Sequence, residues 1–362
     1  MKMRTSLGRG AITGQASHAV FDMTETQNPS GRLAVVFGGG GFLGRYVVRA
    51  LTKRGWRVRV ASRRPDLTGH LQPLGRVGQI QSVQANLRYP ASVTAAVQGA
   101  EAVINLVGIL TQGGSQRFEA VHALGAGIIA REAKAAGAQA LVHVSAIGAD
   151  SQSPSLYSRT KAAGEAAVRE NFPDAVIVRP SIVFGPEDDF FNRFAAMARV
   201  APMLPLIGGG GTRFQPVYVG DVAEAVVRAV EDASKAGQTF ELGGPEVKTF
   251  RQLMEYICEQ TGRRKILAPI PYPLANIIAT GSEFASKVSL GLMPAMMLIT
   301  RDQVRSLQSD NIVSREALAE GRTLAAFGIE PEALETIVPT YLYRYRKTGQ
   351  FGRNTPGPSG RA

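Results

Sequence analysis

Two rhythms of apolar positions alternate along most of the chain. Short apolar or alternating runs at 33–37, 56–61, 80–84, 102–110, 140–145 and 175–180 predict strands. Between them lie stretches with helical spacing. Leu43, Val47, Ala50 and Leu51 share one helix face, closed by Gly55, and residues 118–137 predict a long helix. Asp221 and Glu224 have the spacing of a capping box for a helix over 222–230, and FELGGPEV at 240–247 predicts one more strand and turn. Strands alternating with helices imply a parallel sheet with right-handed crossovers. The expected fold is therefore α/β, a Rossmann-like doubly wound parallel sheet with a smaller C-terminal α/β region. Ligands of such a sheet lie beyond the carboxyl ends of its strands.

The pattern changes after residue 262. Residues 266–300 carry only Glu283 and Lys287 as charges, and Pro269, Pro271, Pro273 and Pro294 keep them from forming one spanning helix. Packing on the sheet and contact with a protein or membrane surface are equal readings of this stretch. The run Tyr341 to Arg346 interleaves aromatic and basic residues, as interfacial segments do and as an ordinary final helix also does. The division expected is an extension over 1–31, disordered or weakly transit-like, a dinucleotide domain over 32–262, a partner or membrane-contact region over 263–346, and a disordered tail over 347–362.

Candidate chemistry starts where the first strand meets glycine. Gly38, Gly41 and Gly44 follow it as G-x-x-G-x-x-G, and Phe42 and Leu43 open a helix. Glycines here allow a tight turn and a close backbone approach, and the helix start offers free N–H groups to an anion. A strand before and a helix after make the triplet a dinucleotide pyrophosphate site rather than a plain turn. The second strand ends in Arg63 and Arg64, where an NAD-selective site has an acid for the ribose 2′-hydroxyl. A guanidinium fork there suits a 2′-phosphate, so NADPH is preferred over NADH; the alternative is a solvated arginine pair beside Pro65. Asn86 and Leu87 close the third strand, where related folds contact adenine, and Val107 and Gly108 close the fourth.

Ser145 ends the fifth strand, and Tyr157 and Lys161 follow as Y-S-R-T-K. A spacing of four puts hydroxyl and ammonium on one helix face. The ammonium is expected to lower the phenol pKa, so Tyr157 can exchange a proton with a carbonyl or alcohol while Ser145 bonds the substrate oxygen and Lys161 holds the nicotinamide ribose. Pro180 shapes the sixth strand's exit beside the nicotinamide.

Charge adds a partner question. The net charge of +12 is uneven: +9 over 31–110, −3 over 111–247 and +5 over 248–362. Such basic regions attract phosphates, acidic proteins or anionic lipid, and no motif points to nucleic acid. The single cysteine, Cys258, excludes an internal disulfide framework or cysteine metal site. The four histidines lack ligand spacing.

Taken together, GGGGFLG at 38–44, NLVG at 105–108, VSA at 144–146, YSRTK at 157–161, VRPSIVFGP at 178–186 and FQPVYVGDVA at 214–223 resemble the extended or atypical short-chain dehydrogenases/reductases. Two positions depart from that pattern. Phe37 stands for a common threonine, and His122 for an asparagine that supports the proton relay in that superfamily. The 159–195 block and LITRDQVRSLQSDNIV carry a narrower resemblance, to the nucleotide-binding accessory subunits of respiratory complex I. That resemblance implies a structural NADPH, a non-catalytic role in assembly or stability, other complex I subunits as partners, and peripheral membrane contact. The implied location is the cytoplasmic face of a bacterial inner membrane, or the matrix side in a mitochondrion. The residues alone leave open a free NADPH-dependent reductase or epimerase acting on a carbonyl, quinone or nucleotide-sugar substrate.

Overall fold

The computed structural model describes residues 31–112, 117–288, 299–347 and 349. The N-terminal extension up to residue 30, residues 289–298 of the apolar stretch and the tail beyond Gly349 lie outside the described residues. The strands are β1 (Leu33–Phe37), β2 (Arg57–Ser62), β3 (Ile80–Gln84), β4 (Ala102–Asn105), β5 (Ala140–Val144) and β6 (Val176–Pro180), then β7 (Val183–Phe184), β8 (Met203–Ile207), β9 (Arg213–Phe214), β10 (Val217–Tyr218), β11 (Thr239–Leu242), β12 (Lys248–Thr249) and β13 (Ile266–Ile270). The helices used below are α1 (Phe42–Lys53), α2 (Pro90–Val97), α3 (Gly125–Ala135), α4 (Leu156–Asn171), α5 (Phe190–Val200), α6 (Val219–Glu231), α7 (Phe250–Gln260), α8 (Tyr272–Val288) and α9 (Arg301–Ser306).

Seven strands form one sheet in the order β3-β2-β1-β4-β5-β6-β11. Every neighbouring pair is parallel. The order reverses between β1 and β4, which opens the crevice where a doubly wound sheet takes its ligand. Both faces are covered, so β1 reads as a continuous apolar run. Ala34 and Val36 pack with Val48, Leu51 and Val226 on the α1/α6 side. Val35 and Phe37 pack with Val93, Ile129 and Val168 on the α2/α3/α4 side. Phe37 is thus a core residue, and its size suits a buried strand end.

A third apolar cluster lies over the C-terminal half. Phe184, Phe191, Phe214, Phe250, Leu204, Leu334, Tyr341 and Leu342 build it, and β8 and β13 form a parallel pair. The final aromatic–basic run therefore packs against the body of the protein. Tyr341 is buried and donates to the Asp188 carboxylate at 2.6 Å, while the Arg344 guanidinium reaches the Pro186 carbonyl and Asn192.

Local details differ from the sequence reading for identifiable reasons. The fourth strand stops at Asn105, because the Asn105 side chain takes the Val107 N–H at 3.0 Å. The long helix begins with a π-helical turn over Glu119–Leu124 before α3. The proposed Asp221–Glu224 capping box is absent. The helix α6 starts at Val219 with Tyr218 as its cap residue, so Asp221 falls inside the first turn. Its carboxylate accepts from the Glu332 N–H instead, and Glu224 pairs with Arg54 and Arg228.

Candidate functional site

The glycine turn sits at the crevice. Gly38 has φ +81°, a region that favours glycine, and a Cβ there would stand 3.2 Å from the Leu106 carbonyl carbon. At Gly44 a Cβ would fall 2.3 Å from the Gly38 oxygen, so only glycine lets the helix lie this close to the turn. Gly41 is the cap residue of α1; no side chain caps this helix, and its first turn contains no acid. An uncapped N-terminus without negative charge fits an anion such as a pyrophosphate. Phe42 opens α1 beside Gly185, where a Cβ would come 3.3 Å from its ring, and Leu43 leans on the α1/α6 core.

To one side of the turn is an exposed cationic rim. Arg63 is exposed at the exit of β2. Arg64 is exposed too, but forks onto Asp66, with Nε 3.0 Å from Oδ1 and Nη2 2.8 Å from Oδ2. The two arginines are therefore not equivalent: Arg64 has a local carboxylate partner that any 2′-phosphate would compete with. Asn86 follows β3 and accepts from the Arg88 N–H at 3.1 Å, while Leu87 packs under Gly125.

To the other side the site is dry and crowded. Ser145, at the end of β5, is buried; its N–H bonds the Val178 carbonyl at 2.7 Å, and its Oγ has no partner among the described residues. Lys161 is buried and donates to the Val144 carbonyl at 3.3 Å. Its ammonium lies 6.0 Å from the centroid of the half-buried Tyr157 ring. A Cβ at Gly108 would stand 3.4 Å from Lys161 Nζ and 3.9 Å from His122 Nε2. Pro180 closes the same end of the sheet, its carbonyl accepting from the Ile147 N–H at 3.0 Å. The structure thus brings Ser145, Tyr157, Lys161, Val107, Gly108 and Pro180 to one end of the crevice, and Arg63 and Arg64 to the other.

Burial governs the protonation of this cluster. Lys161 is pulled down to about 8 by desolvation, with the Glu165 carboxylate pulling the other way. Tyr157 is pushed up to about 12 by burial, which reverses the lowering expected from its lysine neighbour. Desolvation is the cause of the shift, and the ammonium, 6.0 Å from the ring centroid, does not offset it. His122 is buried and lowered to about 3, first by desolvation and then by Lys161. It accepts the Ile109 N–H at Nε2 (3.1 Å), which assigns its proton to Nδ1, 3.1 Å from Thr160 Oγ1. Thr160 in turn donates to the Tyr157 carbonyl at 3.0 Å. In place of a relay asparagine the chain has a neutral imidazole, engaged at both nitrogens.

Several members of the site were not singled out in the sequence. His143, lowered to about 3 by burial, sits 3.0 Å from Asn105 Nδ2. Arg179 forks onto Glu165 at 2.8 and 2.6 Å, anchoring the turn of α4 below Lys161. That anchor joins a helix to the next strand, so no helical spacing signals it. Among the described residues no group of three His, Cys, Asp or Glu side chains is arranged to hold a metal.

Residues 34–243 match the NAD dependent epimerase/dehydratase family. The chain is 37% identical over 328 residues to the mitochondrial NADH dehydrogenase [ubiquinone] 1 alpha subcomplex subunit 9 of Arabidopsis thaliana, covering 89% of this chain and 80% of that one. It is 35% identical over 347 residues to the Mus musculus protein of the same name, covering 94% and 88%. Among solved structures, an NADPH-dependent quinone oxidoreductase of Escherichia coli in complex with NADPH shares the fold, with a TM-score of 0.64 and 21% identity over 86% of this chain and 99% of that one. The chain accordingly belongs to the NAD dependent epimerase/dehydratase family and, within it, to the alpha subcomplex subunit 9 proteins.

Proposed function

We propose that this protein is an accessory subunit of a complex I-type NADH:ubiquinone oxidoreductase, holding a nicotinamide dinucleotide as a structural element. The end-to-end likeness to subunit 9 proteins carries this reading, because it extends through the C-terminal segment that cofactor binding alone does not require. The uncapped start of α1 and its glycine cradle would take the pyrophosphate, with Lys161 and Tyr157 at the nicotinamide ribose and Arg63 at a 2′-phosphate. The preference for NADPH rests on the free-standing position of Arg63 and the missing acid at the end of β2.

A bound nicotinamide supplies hydride chemistry, but the surroundings favour retention over turnover. Burial opposes the Tyr157 phenolate, the base that alcohol oxidation would need, and His122, engaged at both ring nitrogens, has none free to relay a proton. Peripheral placement at a membrane or a membrane subunit fits the exposed stripe Leu274, Ile277 and Ile278 on α8. No described helix is long and apolar enough to cross a membrane. The side, cytoplasmic in a bacterium or matrix in a mitochondrion, follows from the same reading.

Native gel separation of gently solubilised membranes tests the assignment. The protein is expected to co-migrate with the NADH:ubiquinone oxidoreductase activity, and migration solely as a free species would refute it. The gathering of Ser145, Tyr157 and Lys161 favours one other reading, a free NADPH-dependent reductase or epimerase. That reading requires turnover by the isolated protein that disappears in Tyr157→Phe.

A further inference from the structure

The helix α4 carries Tyr157 and Lys161, so its first turn fixes both groups. The first N–H groups of any helix lack intrahelical partners. Ser155 serves one of them, taking the Ser158 N–H on its Oγ at 3.4 Å. The next two are taken by a residue nearly half the chain away. Asp302 accepts from the Leu156 N–H at 2.6 Å (Oδ1), the Tyr157 N–H at 3.1 Å (Oδ2) and the Ser155 hydroxyl at 3.0 Å (Oδ2). A carboxylate at this end also complements the helix dipole.

The same segment is pinned at further points around the crevice. Ser306 Oγ lies 3.0 Å from Ser155 Oγ. The Asn311 amide donates to the Ile147 carbonyl at 3.2 Å, just beyond β5, and the Ser181 hydroxyl donates to Asn311 at 2.7 to 2.8 Å, just beyond β6. Residues 300–311 therefore form a strap across the carboxyl ends of the strands that carry Ser145 and Pro180.

We infer that Asp302 is a positioning residue for the nucleotide site, setting Tyr157 through the first turn of α4, and that the strap and the bound nucleotide consequently stabilise each other. This rests on the nucleotide-holding reading above. Coupling between two sites is reciprocal, so nucleotide must order the strap as much as the strap orders the site.

The test is peptide-resolved hydrogen exchange of the full chain with and without NADPH, on wild type, Asp302→Asn and Asp302→Ala. In wild type, NADPH is expected to slow exchange both at 42–48, the glycine-cradle helix, and at 155–161 with 300–307. In Asp302→Ala, protection at 42–48 remains, protection at 155–161 and 300–307 is lost, and affinity falls about tenfold, with partial recovery in Asp302→Asn. A merely structural residue would lower the melting temperature and leave the pattern of protection unchanged. Protection at 42–48 without protection at 300–307 in wild type overturns the coupling while leaving nucleotide binding intact. No protection anywhere overturns the reading beneath it. If Asp302→Ala does not fold, wild type and Asp302→Asn decide the matter.

Discussion

The two ends of the crevice are built on opposite principles. At the exit of β2 the groups are exposed and charged, and Arg64 already has Asp66 as a neighbour. At the exits of β4 and β5 they are buried or half-buried and all shifted toward their uncharged forms: His122, His143 and Tyr157 are neutral at pH 7, and Lys161 is a cation held against desolvation. An exposed cation costs little to keep and selects ligands by charge. A buried cation costs stability that only a bound partner can return. On the function proposed above, the first end would discriminate between nucleotides and the second would keep one.

The largest effect expected from this contrast is at Lys161. Its pKa is depressed from 10.5 to about 8, so the folded protein binds fewer protons than the unfolded chain between those values. Its penalty is present in full below pH 8 and vanishes as pH rises past 10.5. Lys161→Met should therefore raise the stability of the nucleotide-free protein at pH 7 by up to about 3 kcal/mol while weakening nucleotide binding. Denaturant melts with and without nucleotide read both, and a loss of stability without nucleotide would break the contrast.

At the open end, Arg63→Ala should cost NADPH binding about 2 kcal/mol, the value of a charged hydrogen bond, and NADH binding much less. Equal losses in titration calorimetry would remove the 2′-phosphate assignment. Arg64→Ala should do less than Arg63→Ala, since Asp66 already engages that guanidinium.

The effect that is smallest at neutral pH, and grows only on acidification, is a pH slope. His122 is depressed to about 3, so the unfolded chain binds the extra proton between pH 3 and the ordinary histidine value of 6.5. Stability gained from this group rises with pH across that window, by about 1.4 kcal/mol per pH unit at its steepest. His122→Asn should flatten the acid limb of the stability curve by one proton. An unchanged limb would mean that His122 is solvated and that the closed end is less dry than described.

The same contrast explains what the sequence made legible. Apolar runs and the glycine triplet are local signals, and they located the sheet, the turn and the helix start. The motif YSRTK set Tyr157 and Lys161 on one face, where the structure has them. The protonation of that face was not legible, because desolvation depends on what packs above it: Phe118 stacked on His122, and the ring of Tyr157 edge-on to both. The capping-box spacing at Asp221 misled because the helix starts two residues before that aspartate, with Tyr218 as its cap residue, and the Glu332 N–H, from far along the chain, donates to the carboxylate. Asp302 was hidden for a related reason. It sits in the segment that set the narrower resemblance apart, yet nothing local indicates that its side chain ends at residue 157.

The central claim is that a nicotinamide dinucleotide is kept at this crevice and not consumed. Isolating the protein with its native assembly, releasing bound nucleotide by acid and by alkali, and quantifying each form tests it most directly. The account predicts close to one NADPH per chain, in the same amount before and after the assembly oxidises NADH. Preparations without nucleotide that also fail to take it up, or a bound pool that turns over with substrate, would contradict it.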